Sequence, residues 1–155
     1  MGLYRILLVD DEEEVRRGIM RKMEWEKLGF EVAGDAENGE EALEKVEQLQ
    51  QLQPDVVITD IRMPYMDGLT LTRRIREKYP SIRVLIFSGY DDSEYAQQAI
   101  KLHVTEYILK PVNVEELSEI LTRVRENLEE EIKQRRDIDS LRESYLGNLP
   151  ILREL

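Results

Sequence analysis

The chain has 155 residues, of which 41% are hydrophobic and 35% charged, with no cysteine and a formal net charge of −11. That length carries one domain with a substantial core, and the lack of cysteine excludes a disulfide scaffold and fits a reducing, cytoplasmic setting. The acidic balance argues against direct nucleic-acid binding, which demands a basic surface; the densest basic run, KQRR, sits among Glu129, Glu130, Glu131 and Asp137 and reads as a solvated helix face.

In chain order, Ile6 to Val9 form a continuous apolar run that stops at Asp10 and Asp11. The run is too short for a leader or a membrane span, and Ile6 stands where a myristoylation signal needs Ser or Thr. Val15, Ile19 and Met23 then recur at helical spacing. A strand follows at Phe30 to Gly34 (FEVAG) and a helix through Ala42, Leu43, Val46 and Leu49. After Pro54, the β-branched Val56, Val57 and Ile58 read as a buried strand that ends in Asp60. Leu69, Thr72 and Ile75 have helical spacing; Val84 to Phe87 form a strand that ends in Ser88. Ala96, Ala99 and Ile100 mark another helix, with His103 at its end, where a left-handed backbone is expected. Tyr107, Ile108 and Leu109 form a last strand, closed by Lys110.

Alternating strands and helices, with strands apolar on both faces, predict an α/β fold in which helices cover each side of a parallel sheet. The expected architecture is the flavodoxin-like (βα)5 kind, a doubly wound five-stranded sheet of order 2-1-3-4-5. Ligands of such sheets bind beyond the carboxyl ends of the strands. Asp10, Asp11, Asp60, Ser88 and Lys110 are therefore expected to face one crevice.

Clustered carboxylates repel unless a cation neutralises them, and oxygen-only donors suit a hard ion such as Mg²⁺. Beside such an ion, with a lysine and a hydroxyl opposite, Asp60 is a candidate nucleophile for phosphoryl transfer. Plainer roles stay open at this point: Asp10 and Asp11 as a helix cap, Ser88 as a turn residue, Tyr107 as static core, and Glu12 tuning the site rather than ligating an ion.

At the end of the chain, Asn113 reads as an N-cap, followed by Val114, Leu117, Leu121, Val124 and Leu128 at amphipathic spacing. Ile132, Ile138, Leu141 and Tyr145 continue it loosely, interrupted by Arg135, until Gly147 and Pro150. A continuous helix of roughly 33 residues would be about 50 Å long, so its distal half should leave the domain. The expected division is a domain over 1–127 and a helical linker over 128–155.

LLVDDE, VVITDIRMPYMDG, SGY and YILKP, in that order, resemble the receiver domains of bacterial two-component response regulators. The resemblance implies that Asp60 accepts a phosphoryl group from a sensor histidine kinase, and that Asp10, Asp11, Asp60 and the backbone carbonyl of Arg62 hold Mg²⁺. It also implies that Ser88 and Lys110 grip the phosphoryl oxygens, that Tyr107 swings inward on activation, and that the Lys110–Pro111 peptide is cis. Such a chain is a switch that catalyses only its own phosphorylation and dephosphorylation. In the family, residues two places beyond the phosphoacceptor and the switch hydroxyl line the path of hydrolytic water. Here these are Arg62 and Tyr90, whose bulk predicts a long-lived phosphorylated state. A haloacid-dehalogenase-like phosphatase would carry a second Asp where Arg62 stands, and no phosphate-cradling glycine motif is present. EWEKLGFEVAGDAENG and RESYLGNLPILREL resemble regulators in which an AraC-type helix-turn-helix domain follows the receiver. The chain is accordingly expected to be a piece of a longer regulator, with phosphorylation-dependent homodimerisation and DNA reached only through that further domain.

Overall fold

A computed structural model describes residues 2–48, 53–89 and 93–147. Strands β1 (Tyr4–Val9), β2 (Phe30–Ala36), β3 (Val56–Asp60), β4 (Arg83–Ser88) and β5 (Glu106–Leu109) form one parallel sheet of order β2-β1-β3-β4-β5. Helices α1 (Glu13–Lys22), α2 (Trp25–Leu28), α3 (Gly39–Gln48), α4 (Gly68–Lys78), α5 (Ser93–Lys101) and α6 (Val114–Gly147) connect and cover it. The flavodoxin-like order read from the sequence is thus the observed one.

Alternation along the strands sends side chains to two cores. Leu7, Val9, Val57 and Ile86 pack with Ala42 and Val46 of α3, Leu71 and Ile75 of α4, and Ala99 of α5. Ile6, Leu8, Ile58 and Leu85 point the other way, onto Met23 after α1 and Leu117, Leu121, Val124 and Leu128 of α6. Burial on both faces explains the unbroken apolar runs of the inner strands.

Two elements differ from the sequence reading. β2 runs on to Ala36, because Asp35 and Ala36 pair with Leu8 and Val9 although Asp35 is polar. The short α2 was not anticipated; it is held from outside, by Trp25 Nε1 donating to the Met20 carbonyl at 3.1 Å and Arg125 Nη1 donating to the Leu28 carbonyl at 2.9 Å. Leu49, placed on α3 by its spacing, lies outside the described residues.

α6 begins as expected, with Asn113 Oδ1 accepting from the Glu116 N–H at 2.7 Å. It continues without a break past residue 128, and Leu128 is its last buried side chain among the described residues. Arg83 clasps its outer edge, donating to Asn127 Oδ1 from Nε at 3.1 Å and pairing with Glu131. Ile138, Leu141 and Tyr145 beyond it are exposed. Pro150 lies outside the described residues, and no helix among those described is long and apolar enough to cross a membrane.

Candidate phosphoryl-acceptor and cation site

β1 and β3 are neighbours, so the acids that end them meet at one edge of the sheet. Asp10 is 4% exposed, while Asp11 and Glu12 are exposed. Asp10 and Asp11 are not the cap of α1: Glu12 occupies the N-cap position, and its N–H donates to Asp10 Oδ1 at 2.9 Å. Carboxylate oxygens of Asp10, Asp11 and Glu12 lie within 4.8 Å of one another. This all-oxygen donor set fits a hard divalent cation such as Mg²⁺, and it places Glu12 nearer a ligand role than the sequence suggested.

Asp60 stands across from them with its side chain 12% exposed. Its Oδ1 accepts from the Ile61 N–H at 2.8 Å, and its Oδ2 lies 3.4 Å from Lys110 Nζ. The same ammonium donates to Asp10 Oδ2 at 3.2 Å. Lys110 therefore joins the ends of β1 and β3 from the turn after β5, held there by its own N–H on the Ser88 carbonyl at 2.7 Å. The Lys110–Pro111 peptide is cis. Burial pushes the Asp60 carboxyl above its ordinary value; Lys110 opposes this and Asp10 adds to it. For Lys110 burial pulls down, but the Asp10 and Asp60 carboxylates outweigh it and hold the ammonium above its usual range.

The loop after Asp60 is pinned by close packing. A Cβ on Gly68 would sit 2.0 Å from the Asp60 carbonyl oxygen, so only glycine lets α4 start there. Asp67 caps that helix, its Oδ1 accepting from Thr70 N–H at 2.7 Å. On the opposite side, Gly39 N–H donates to the Met66 carbonyl at 3.0 Å.

Ser88 is fully buried at the end of β4, and its hydroxyl is turned toward Tyr107 and Gly89. Tyr107 Oη donates to Ser88 Oγ at 2.7 Å, and Ser88 Oγ donates to the Gly89 carbonyl at 3.1 Å. The half-buried Tyr107 ring packs on the core shared by α3, α4 and α5. The structure thus groups Asp10 and Asp11 with Glu12, and Lys110 ties Asp10 to Asp60, with Ser88 linked to them through the Lys110 main chain. Arg62 is exposed in the loop after β3. Tyr90, its expected companion, lies outside the described residues. His103 has φ 57°, the left-handed backbone expected at the end of α5.

Sequence reasoning missed Arg16, which is 6% exposed and donates through Nη1 to the Asp10 carbonyl at 2.5 Å. The signal was there: Arg16 precedes Ile19 and Met23 at the 3-4 spacing that marks the inner face of α1.

Comparison with known proteins agrees with this geometry. Residues 6–122 match the model of the response regulator receiver domain. The chain is 43% identical over 115 residues to the uncharacterized transcriptional regulatory protein YesN of Bacillus subtilis, covering 74% of this chain and 30% of that protein. It is 37% identical over 144 residues to the transcriptional regulatory protein HptR of Staphylococcus aureus, covering 92% of this chain and 55% of HptR. The chain therefore spans about half or less of the length of these relatives. Among solved structures, the REC domain of AraT, a response regulator from Geobacillus stearothermophilus, superposes with a TM-score of 0.77 at 42% identity, over 83% of this chain and 98% of that one. A two component transcriptional regulator AraC from Clostridium phytofermentans gives a TM-score of 0.74 at 35% identity, over 82% and 96%. With the fold, the paired acids and the lysine in one crevice, these matches place the chain in the response regulator receiver domain family, whose signalling depends on phosphorylation.

Proposed function

We propose that the chain is a phosphorylation-driven switch in which Asp60 takes a phosphoryl group from a sensor histidine kinase. The observation that carries this is the Asp60 carboxylate, mostly buried at the end of the central strand and joined to Asp10 by Lys110. An Asp60 oxygen attacks phosphorus as the P–N bond of a phosphohistidine breaks, and the histidine leaves. Lys110 moves its charge from the carboxylates to the phosphoryl oxygens, a charge-assisted contact. Asp10, Asp11 and Asp60, with the Arg62 carbonyl, would hold Mg²⁺, and Glu12 stands close enough to share the task. A bound Mg²⁺ supplies the positive charge that lets three carboxylates and a phosphoryl dianion share one crevice.

A phosphoryl group at Asp60 offers the Ser88 hydroxyl a stronger acceptor than the Gly89 carbonyl. Ser88 turns to it, its bond from Tyr107 is broken, and Tyr107 repositions. The surface around α5, β5 and α6 changes with it, and α6 from residue 128 onward acts as the connector that carries the change outward. The domain itself spans 1–127 in this reading. The chain works in the cytoplasm, turns over no substrate besides its own phosphorylation and dephosphorylation, and pairs with a second copy when phosphorylated. Its output is transcriptional, through a C-terminal DNA-binding domain of AraC type; the names of YesN and HptR as transcriptional regulatory proteins support the transcriptional part, and the AraC regulator of Clostridium phytofermentans supports the type.

The test is incubation with acetyl phosphate, with Mg²⁺ or with a chelator. A receiver gains one stable adduct only with Mg²⁺; continuous release of phosphate would instead indicate a phosphatase, and no reaction a module that only binds partners. Sedimentation with and without beryllofluoride tests the pairing. Unchanged monomers would refute it for this chain.

A further inference from the structure

A guanidinium buried as deeply as that of Arg16 needs partners, since an unpaired buried charge is strongly destabilising. Its partners lead to the acidic crevice. Nε donates to Asp35 Oδ2 at 2.8 Å, and Nη1 donates to the Asp10 carbonyl at 2.5 Å. Asp35 reaches this face through a bulge in β2. Pairing passes from Ile6–Val32 to Leu7–Gly34, so Asp35 falls opposite Leu8, which faces α1 and α6. Without the extra residue Asp35 would fall opposite Val9, which faces the other core. The Asp35 carbonyl in turn accepts from Lys45 Nζ, which pairs with Glu41 at 3.2 Å.

Asp10 is consequently held at every polar group it has. Its N–H donates to the Ala36 carbonyl at 3.1 Å and its carbonyl takes Arg16. Its Oδ1 takes the Glu12 N–H at 2.9 Å and its Oδ2 takes Lys110 at 3.2 Å. We propose that Arg16, aimed by Asp35, is a positioning residue for the divalent-cation site: it fixes the Asp10 main chain so that the carboxylate faces the cation already oriented. This rests on Asp10 and Asp11 being the cation's ligands. Charge alone predicts the opposite, because a nearby guanidinium repels a cation and its removal would tighten binding.

Mg²⁺ binding to the unphosphorylated chain, measured by calorimetry beside thermal unfolding, separates the two. Loss of an outer-shell partner weakens metal binding by about 10- to 100-fold, so Arg16→Met is expected to bind Mg²⁺ at least about tenfold more weakly. Asp35→Asn, which keeps the arginine but loses its counter-charge, should show a smaller loss in the same direction. Equal or tighter binding in a folded Arg16→Met, or a lowered Tm without weaker binding, would overturn the proposal. Should Arg16→Met fail to fold, Asp35→Asn decides it in the same way. A parent chain that binds no Mg²⁺ would overturn the site reading itself; a parent that binds, with variants that bind equally, would overturn only the role of Arg16.

Discussion

Replacing Asp60 with Asn is expected to stabilise the metal-free chain at neutral pH. The Asp10 and Asp60 Oδ2 atoms touch the same ammonium at 3.2 and 3.4 Å, so they lie no farther apart than those two legs end to end. At ~6.6 Å and an effective dielectric constant of about 20, two like charges repel by about 2.5 kcal/mol. The Lys110 contact returns more than this in gross Coulomb energy, but desolvation of a mostly buried carboxylate costs several kcal/mol and sets the net direction. Asn removes both penalties, and Lys110 keeps Asp10 as partner, so no charge is orphaned. The direction is a net gain, of the size found when a buried charge is replaced by a neutral group of similar shape, about 1 kcal/mol. A carboxyl raised in the folded state favours folding while protonated in both states, and this is lost as pH rises from its unfolded value through its folded one. The advantage of Asp60→Asn should therefore be absent in acid, grow across the span between the ordinary carboxylate pKa and the raised Asp60 value, and then level off. Denaturant unfolding of both proteins in chelator, as a function of pH, reads it out. An Asn variant less stable than the parent at neutral pH, or a difference that shrinks with rising pH, would show that burial and Asp10 do not destabilise the Asp60 carboxylate.

Gly68→Ala should be severe, because its Cβ would meet the Asp60 carbonyl oxygen at 2.0 Å; overpacking costs of about 1–3 kcal/mol apply, and an unchanged denaturation midpoint would count against the packed β3–α4 corner. Tyr107→Phe removes the donor to the buried Ser88 hydroxyl, with an expected loss of about 1 kcal/mol and altered beryllofluoride-induced pairing; a variant that pairs like the parent would argue that Tyr107 is core alone. Leu121→Ala, at a fully buried site between α6 and the sheet, should cost about 2–5 kcal/mol, whereas Leu141→Ala, on the exposed stretch, should leave the Tm of the chain almost unchanged.

What could be read in the sequence was whatever depended on runs and spacing. Ile6 to Val9, Val56 to Ile58 and Val84 to Phe87 are buried on both faces, so their apolar runs announced strands, and the polar residues that close them marked the functional edge. What could not be read depended on contacts between distant segments. α2 has only four residues and is fastened by Met20 and Arg125. Asp35 fell outside the strand read at Phe30 to Gly34, because its polarity hides a pairing set by a bulge. Arg16 fits the inner stripe of α1, yet only its two acceptors explain why a charge belongs there. The direction of the Ser88 hydroxyl is likewise a tertiary fact, since Tyr107 reaches it from the neighbouring strand.

Intact-mass analysis after acetyl phosphate and Mg²⁺ shows whether Asp60 is the phosphoacceptor. The parent should gain one phosphoryl group, gain none when chelator is present from the start, and carry it on a peptide containing Asp60; Asp60→Asn, folded and still binding Mg²⁺ at Asp10 and Asp11, should gain none. An adduct of equal yield in Asp60→Asn, or one mapped to another residue of the parent, would show that Asp60 is not the phosphoacceptor.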